Sequence, residues 1–226
     1  MLCSARIIAD QIKTTDHAKN WKLLPGKKFS PRHSHATCVF KCPDKPNQSC
    51  LWLTGGWSDA HRAFDVETVE NENSDVWYTK DGTDWHQVTA LHGDFRHGVG
   101  NGDALPGGYV APWYSRYGHS LTALDGNGDG VADLLILAGG FAPLPSNDVW
   151  ISLDGITWRF DGFAPWSKRA YAGTTVFQNK LWLVGGTPLS NDVWTGSLAT
   201  DSSRDVGYTL VWEQILPHSV APWTPR

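Results

Sequence analysis

A short acidic loop at 125–133, DGNGDGVAD, contains the residues whose types and spacing most directly indicate chemistry. Oxygen-bearing side chains occupy its first, third, fifth and ninth positions, and Gly130 occupies the sixth. Calcium takes about six to eight oxygen ligands, and alternation along a loop directs such side chains inward around a sharp turn at the glycine. The spacing therefore predicts a structural calcium site. Its predicted ligands are Asp125, Asn127, Asp129, the backbone carbonyl of Val131, and Asp133.

Two other interpretations bear on metal binding. An EF-hand would place a glutamate at the twelfth position, where this chain has Ile136, and helices rather than apolar strand-like stretches would flank the loop. The acidic loop could also be a polar hairpin tip that binds no metal. A separate trio, His92, Asp94 and His97, has no strand or helix register to direct its side chains together, so the sequence does not favour a metal site there.

Arginines that recur at the same position of an internal repeat are the other candidates for chemistry. Arg32, Arg116 and Arg169 each lie near the start of a predicted first strand. One arginine per repeat at a fixed register predicts structural ion pairs rather than a substrate-binding set. The expected partners are Asp75, Asp148 and Asp192. No nucleophile, base or metal arrangement suited to catalysis stands out, so no catalytic residue is predicted and the chain is not expected to be an enzyme.

The four cysteines leave the redox compartment open. Cys42 and Cys50 bracket a Pro-rich loop and are a possible disulfide, and Asn47 within that loop is a possible glycosylation site in an Asn-Gln-Ser sequence. These features suit an extracellular or secretory protein. Reduced core thiols and a chance sequon would suit a cytoplasmic protein equally well, so the sequence does not decide localisation.

Composition restricts the class of protein. The net charge of -4, from 19 basic and 23 acidic residues, and the lack of a basic cluster argue against nucleic acid as a partner. No run of apolar residues is long enough to predict a membrane-spanning helix. The 13 Trp and 23 Gly are typical of short strands, tight turns and large packing side chains, so we expect an all-β fold.

Three copies of one pattern account for most of the chain. Their first strands are predicted at 30–40, 114–124 and 167–177, and their second strands, each ending in a glycine pair, at 51–56, 134–140 and 181–186. Their third strands are predicted at 73–81, 147–154 and 191–198. A fourth strand holds Trp85, Trp158 or Trp212, and in the first two copies an Asp-Gly pair predicts the two-residue hairpin turn that leads into it. A period of about 50 residues with four short strands is typical of propeller blades.

These motifs resemble the kelch repeats of galactose-oxidase-like β-propellers. The glycine pair, the Arg-x-x-His of Arg32 and Arg116, the Asn-Asp-Val and the downstream Trp all match, although the third copy has Ala172 in place of the histidine. The acidic loop is similar to the calcium loops of integrin-type propellers. The resemblance implies a β-propeller of four-stranded antiparallel kelch-like blades, incomplete in this chain at about three and a half blades.

The resemblance also implies how the chain is divided. The predicted segments are 1–29, outer strands of a preceding blade; 30–91, a blade; 92–112, an inserted loop; 113–162, a blade with the acidic loop; 163–220, a blade; and 221–226, the beginning of a next blade. Because three and a half blades cannot close a propeller and an open arc exposes strand edges, we expect completion by further blades or by a partner chain. The resemblance extends to oxidases and sialic-acid-processing propellers, so the alternative function is part of such an enzyme, with most catalytic residues outside this chain.

Two insertions, 57–72 and 91–113, are predicted at the same end of one blade, because successive connections of a four-stranded meander alternate between its two ends. Their candidate binding residues are Trp57, His61, Arg62, Phe95, Arg96, His97, Tyr109 and Trp113. Aromatic and arginine side chains are enriched at interface hot spots, and binding loops are commonly carried by rigid scaffolds. We therefore predict a non-catalytic module that recognises a protein or glycan through this face. The alternative is that the insertions are solvated decoration, with Trp113 packing between blades.

Overall fold

The computed structural model describes residues 23–26, 29–57, 74–88, 92–93, 112–142, 144–204, 207–218 and 220–225. Regular structure in these residues is entirely β, which confirms the all-β prediction. None of them forms a helix that is long and apolar enough to cross a membrane.

Thirteen strands form three sheets, which are named here by their order along the chain. The first sheet contains β1 (Ala36–Lys41), β2 (Ser49–Thr54), β3 (Val76–Thr79) and β4 (Trp85–Gln87). The second sheet contains β5 (His92–Gly93), β6 (Ser120–Leu124), β7 (Leu134–Phe141), β8 (Pro145–Ser152) and β9 (Thr157–Phe163). The third sheet contains β10 (Gly173–Phe177), β11 (Lys180–Val184), β12 (Val193–Thr200) and β13 (Tyr208–Leu216).

Each sheet is an antiparallel meander of four consecutive strands, as predicted. The second sheet has an addition that the sequence did not predict. Strand β5 pairs in parallel with β9, with His92 opposite Thr157 and Gly93 opposite Trp158. A strand of two residues has no periodicity to reveal it, and its segment was predicted to be an inserted loop. The six-part division of the chain stays a prediction.

The first strand of every sheet begins six residues later than predicted, at residue 36, 120 or 173. Ser34, Gly118 and Tyr171 explain this, because they occupy equivalent positions two residues after the repeated arginines and all have positive φ, at 56°, 64° and 57°. A left-handed residue interrupts an extended strand. The arginines therefore lie in connecting segments and not within strands.

The predicted two-residue Asp-Gly turns are wrong. The connections run from Thr79 to Trp85 and from Ser152 to Thr157, and in the Asp-Gly pairs positive φ is found only at the glycines, Gly82 and Gly155. The aspartate side chain shapes the loop instead. Asp154 Oδ1 accepts hydrogen bonds from the backbone N–H groups of Ile156, at 2.8 Å, and Thr157, at 2.7 Å. A true two-residue turn with two positive φ values occurs at Gln178 and Asn179 in the third sheet.

Sheets pack face to face in chain order around the neighbouring first strands β1, β6 and β10. Tryptophans fill the space between the first and second sheets. Trp150 and Trp158 are fully buried there, and Trp52 of the first sheet lies in the same cluster. A second cluster, which includes Trp166, Leu181 and Leu183, joins the second and third sheets. Burying side chains of this size stabilises each sheet pair by several kcal/mol, at about 25 cal/mol per Å² of apolar surface.

Candidate binding face

The repeated arginines form the ion pairs that their register predicted. Arg116 donates to both carboxylate oxygens of Asp148, at 2.8 and 2.7 Å, and both side chains are fully buried. Arg169 contacts Asp192 in the same two-pronged way, at 2.6 and 2.8 Å. Arg32 and Asp75 form the third pair.

The carboxylates of Asp148 and Asp192 are strongly held in the charged form. Burial by itself would raise the pKa of Asp148 and Asp192, but the charge and hydrogen bonds of the partner arginine outweigh it, and the pKa of each carboxyl is lowered to about 2. A tryptophan adds to this, because Trp150 Nε1 donates to Asp148 at 2.8 Å and Trp194 Nε1 donates to Asp192 at 2.7 Å. The arginines therefore have a structural role within the blades.

The glycine pairs hold adjacent sheets together at the end where the arginines lie. The N–H of Gly56 donates to the carbonyl of Arg116 at 2.9 Å, and the N–H of Gly140 donates to the carbonyl of Arg169 at 2.9 Å. A Cβ on Gly139 would lie 2.8 Å from the carbonyl oxygen of Arg169, which leads into the third sheet. The glycines are thus required both for their positive φ and for the close approach of the next sheet.

A second series of backbone hydrogen bonds joins the segments that directly precede β1, β6 and β10, which are named here the inner connections. The N–H of Gly118 donates to the carbonyl of Ser34 at 2.8 Å, and the N–H of Tyr171 donates to the carbonyl of Gly118 at 2.6 Å. These residues have the positive φ values described above. The backbone at the inner ends of the three sheets is therefore fixed, and the side chains that it carries are held in defined places.

Four aromatic side chains form a group at this end, named here the aromatic cluster: Trp57, Tyr117, Phe141 and Tyr171. Tyr117 lies at its centre, with its ring centroid 5.2 Å from that of Trp57 and 5.2 Å from that of Phe141. Tyr171 completes the cluster at 6.3 Å from Tyr117 and is 50% exposed. Its hydroxyl also donates to Ser34 Oγ at 3.4 Å.

Two histidines lie behind the aromatic cluster, one in each of the first two repeats. Burial is the main cause that lowers the pKa of His119, to about 3, and the charge of Arg116 adds to it. Burial, together with Arg32 and His33, also lowers the pKa of His35. His119 Nε2 lies 2.8 Å from Thr54 Oγ1 and joins the first sheet to the second. At neutral pH His119 is uncharged and supplies neither an acid nor a cation to this face.

The structure describes two of the predicted binding residues, Trp57 and Trp113, and they lie in different environments. Trp57 belongs to the aromatic cluster. Trp113 is only 2% exposed, and its ring lies 4.9 Å from that of Trp158 and 5.8 Å from that of Trp150. It packs between sheets and does not contribute to a binding surface, which is the alternative that the sequence left open. The other candidates, His61, Arg62, Phe95, Arg96, His97 and Tyr109, lie outside the described residues.

The acidic loop lies at the opposite end of the second sheet, where its side chains cap its own backbone. Asp125 accepts from the N–H groups of Gly128, at 2.6 Å, and Gly130, at 2.8 Å, while Asp133 accepts from the N–H of Gly126 at 2.8 Å. Carboxylate and amide oxygens are the ligand types that calcium prefers. Within the described residues, however, no three acidic, histidine or cysteine side chains are grouped closely enough to hold a metal ion. The loop fits calcium in ligand type and not in ligand convergence.

The disulfide and the sequon lie at the same end as the acidic loop. A disulfide across a sequence separation of 8 joins Cys42, directly after β1, to Cys50, near the start of β2. Asn47 lies at the exposed tip of that connection. Cys38 is the free cysteine among the described residues, and burial raises the pKa of its thiol to about 12.

Comparison with known proteins supports the fold and goes no further. No family model and no curated protein matches the chain. A solved structure described as "Structure of YjhT" superposes with a TM-score of 0.52 at 16% identity, over 94% of this chain and 59% of the other. The fold is that of a β-propeller. Its three sheets are blades similar to those of a kelch-type propeller, and the chain spans about 59% of the length of the structure that it matches.

Two residues that occupy repeated positions in the blades were not predicted from the sequence. Phe29 takes the place in the first blade that Trp113 and Trp166 take in the others, three residues before the repeated arginine, and its ring lies 4.9 Å from that of Trp85. The change from tryptophan to phenylalanine concealed it. Tyr171 was also missed, because its position holds a glycine in the second repeat and a serine in the first.

Proposed function

We propose that this chain is a kelch-type repeat module that binds a protein or a glycan, without catalysis, through the end of the propeller that carries the aromatic cluster. The observation that supports it best is Tyr171. A half-exposed tyrosine held at φ 57° on an inner connection is a rigid, amphipathic side chain aimed outward from a fixed backbone. The insertions 57–72 and 91–113 belong to the same end in the predicted topology and would enlarge this surface.

The ion pairs of the repeated arginines favour a binding function over the enzyme alternative. Arg32, Arg116 and Arg169 are bound to aspartates, so they are not free to hold a substrate carboxylate. The alternative, part of an oxidase-like or sialic-acid-processing propeller, would need catalytic groups from residues that the structure does not describe or from further blades. Copper-dependent oxidation or glycoside turnover by the intact protein would establish it.

Removing the Tyr171 ring should weaken partner binding by about thirtyfold or more while leaving the fold intact. We expect Tyr171→Gly to fold normally, because Gly118 occupies the equivalent position of the second blade with a similar φ. Loss of an aromatic hot spot typically weakens binding by about 2 kcal/mol or more. The probes are an array of neutral, sialylated and sulfated oligosaccharides and a displayed library of random peptides, which separate glycan from protein recognition.

Leu153→Ala is the control for Tyr171→Gly. Leu153 is 36% exposed and lies in the connection between β8 and β9, at the end opposite the aromatic cluster. Its replacement should leave binding unchanged. Equal loss of binding in both variants, or no loss in Tyr171→Gly, would contradict recognition through the aromatic cluster.

We also propose that the acidic loop binds calcium in a structural role. Asp125, Asp129 and Asp133 must then converge on the ion, with Asn127 and the carbonyl of Val131 completing the set. The loop packs against the third blade. A Cβ on Gly126 would contact Leu198, and one on Gly128 would contact Asn179. A bound ion would therefore stiffen the contact between the second and third blades.

Calcium is expected to raise the melting temperature of the chain. At a free concentration of about 100 times Kd, the gain in unfolding free energy would be about 2.7 kcal/mol. Differential scanning calorimetry with calcium and with magnesium measures the effect, and Asp125→Asn with Asp133→Asn should remove it. Asp154→Asn is the control, since Asp154 caps the other hairpin at this end of the same blade. No binding heat and no calcium-dependent shift would refute the proposal.

A further proposal concerns what covers the outer face of the third blade. Phe177, Val211 and Ile215 are 57%, 55% and 40% exposed there. Trp182 occupies the position in β11 that Trp52 occupies in β2, where the second blade buries Trp52 completely. By continuity with the two interfaces described above, we propose that a further blade of the same type, from this protein or a partner chain, packs on this face.

A further inference from the structure

A cleft of about 460 Å³ opens beside the third blade, at the end that carries the aromatic cluster but at the outer strands rather than near the first strands. It lies where the chain crosses from the second blade to the third and where β13 ends. The lining residues that matter here are Lys168, Leu189, Ser190, Trp194, Gln214 and His218. Its volume falls within the range of about 300 to 1,000 Å³ that is typical of small-molecule sites.

One residue that lines the cleft differs from its equivalent in the second blade. In the third blade Trp194 pairs across the strands with Gln214. In the second blade the same register, after the same bulge, pairs Trp150 with Phe160, and the two rings pack at 5.1 Å. A glutamine in place of the phenylalanine leaves a polar side chain beside the indole where the second blade has an aromatic one.

Apolar and polar groups are arranged in the cleft as small-ligand sites require. Trp194 is partly exposed, and its Nε1 is occupied by Asp192, so it offers a ring to a ligand and no donor. Ser190 is buried and donates to Asp192 at 2.6 Å, while His218 Nδ1 lies 3.5 Å from Ser190 Oγ. An aromatic wall with a few convergent polar groups fits a ligand that has one apolar face and several hydroxyls.

The charge that the cleft presents is positive. Asp192 lies at its base, but Arg169 binds both of its oxygens, at 2.6 and 2.8 Å, and this pair is neutral in sum. The ammonium of Lys168 at the rim is therefore not offset by Asp192. A positive cleft in a chain of net charge -4 selects anions by electrostatic attraction.

We propose that this cleft binds a monosaccharide that carries a carboxylate or a phosphate. The sugar ring packs on Trp194 and is hydrogen-bonded by Gln214, and the anionic group is bound by Lys168 and His218. This site is separate from the aromatic cluster, so it does not depend on the proposed recognition function. The third blade would then contain a small-ligand site of its own.

Isothermal titration of the full chain tests this with three probes: glucuronate, glucose 6-phosphate and glucose. We expect glucuronate, glucose 6-phosphate or both to bind with a Kd of about 1 mM or tighter, and glucose to bind about tenfold more weakly or not at all. Whichever of the two anions binds more tightly identifies the anionic group. Lys168→Gln should weaken binding of the preferred anion by about tenfold.

Gln214→Phe is the decisive variant, because it gives the third blade the residue pair of the second and should therefore fold. It fills the cleft, so we expect no measurable binding. Lys180→Gln, which changes an exposed lysine on β11, should bind as the unaltered chain does. The proposal is overturned if none of the probes binds, if glucose binds as well as the anions, or if Lys168→Gln and Gln214→Phe both retain full binding.

Discussion

Arg116→Ala is expected to lower the unfolding free energy by about 3–5 kcal/mol, the largest loss that we predict for a single polar side chain of this protein. The reason is the charge that remains. Asp148 is fully buried and would keep a carboxylate that accepts hydrogen bonds from Trp150 Nε1 and from Ser146 but has lost its cation. Gly139 would also lose a hydrogen bond to its carbonyl, which Arg116 donates at 2.8 Å. Urea unfolding followed by tryptophan fluorescence measures the change.

Two further variants make the Arg116 prediction specific. Arg116→Lys retains a positive charge but loses the two-pronged geometry, so its loss should be intermediate. Lys80→Ala removes one partner of an exposed ion pair with Asp44, and its urea midpoint should be nearly unchanged. If Arg116→Ala unfolded at the same urea concentration as Lys80→Ala, the buried pairs would not be what holds each blade together.

Gly155→Ala is expected to destabilise the chain by about 2–5 kcal/mol through two separate effects. Alanine is strained at φ 77°, at a cost of about 1–2 kcal/mol. Its Cβ would also lie 2.5 Å from Cζ3 of Trp52, which is fully buried in the interface between the first and second blades. Overpacking of this kind costs about 1–3 kcal/mol more. Thermal or urea unfolding measures the sum.

Gly207→Ala separates the two effects. Gly207 has a φ of 71°, close to that of Gly155, but a Cβ there would meet nothing within 4 Å. It should show the backbone strain alone. Equal losses for Gly155→Ala and Gly207→Ala would mean that Trp52 does not pack against Gly155, and the interface between the first two blades would then be wrong.

Repetition made the scaffold predictable from sequence. A single Arg or Trp can have many roles, but Arg116 and Arg169 at the same register, each followed by an aspartate that precedes a Val-Trp pair, leave structural pairing as the simplest account. The three pairs are present as predicted. The glycine pairs were predictable for the same reason, although their contact with the next blade, such as Gly140 N–H to the carbonyl of Arg169, was not.

Features that break the repeat were not predictable. Tyr171 carries the proposed binding surface, yet nothing in the sequence marks it as left-handed or exposed. Gln214 opens the cleft only because a bulge sets its register opposite Trp194, and bulges cannot be located from periodicity. Trp113 shows the opposite difficulty. Its residue type is common at binding hot spots, but its position in the repeat places the side chain between sheets, where it is buried.

Hydrogen–deuterium exchange of the chain with and without the best ligand from the oligosaccharide array or the peptide library tests the central claim most directly. Recognition through the aromatic cluster predicts slower exchange at the inner connections around Tyr117 and Tyr171. It predicts no change at the Cys42–Cys50 connection or at the acidic loop, which lie at the opposite end. Protection confined to those two loops, with the inner connections unchanged, would contradict the account.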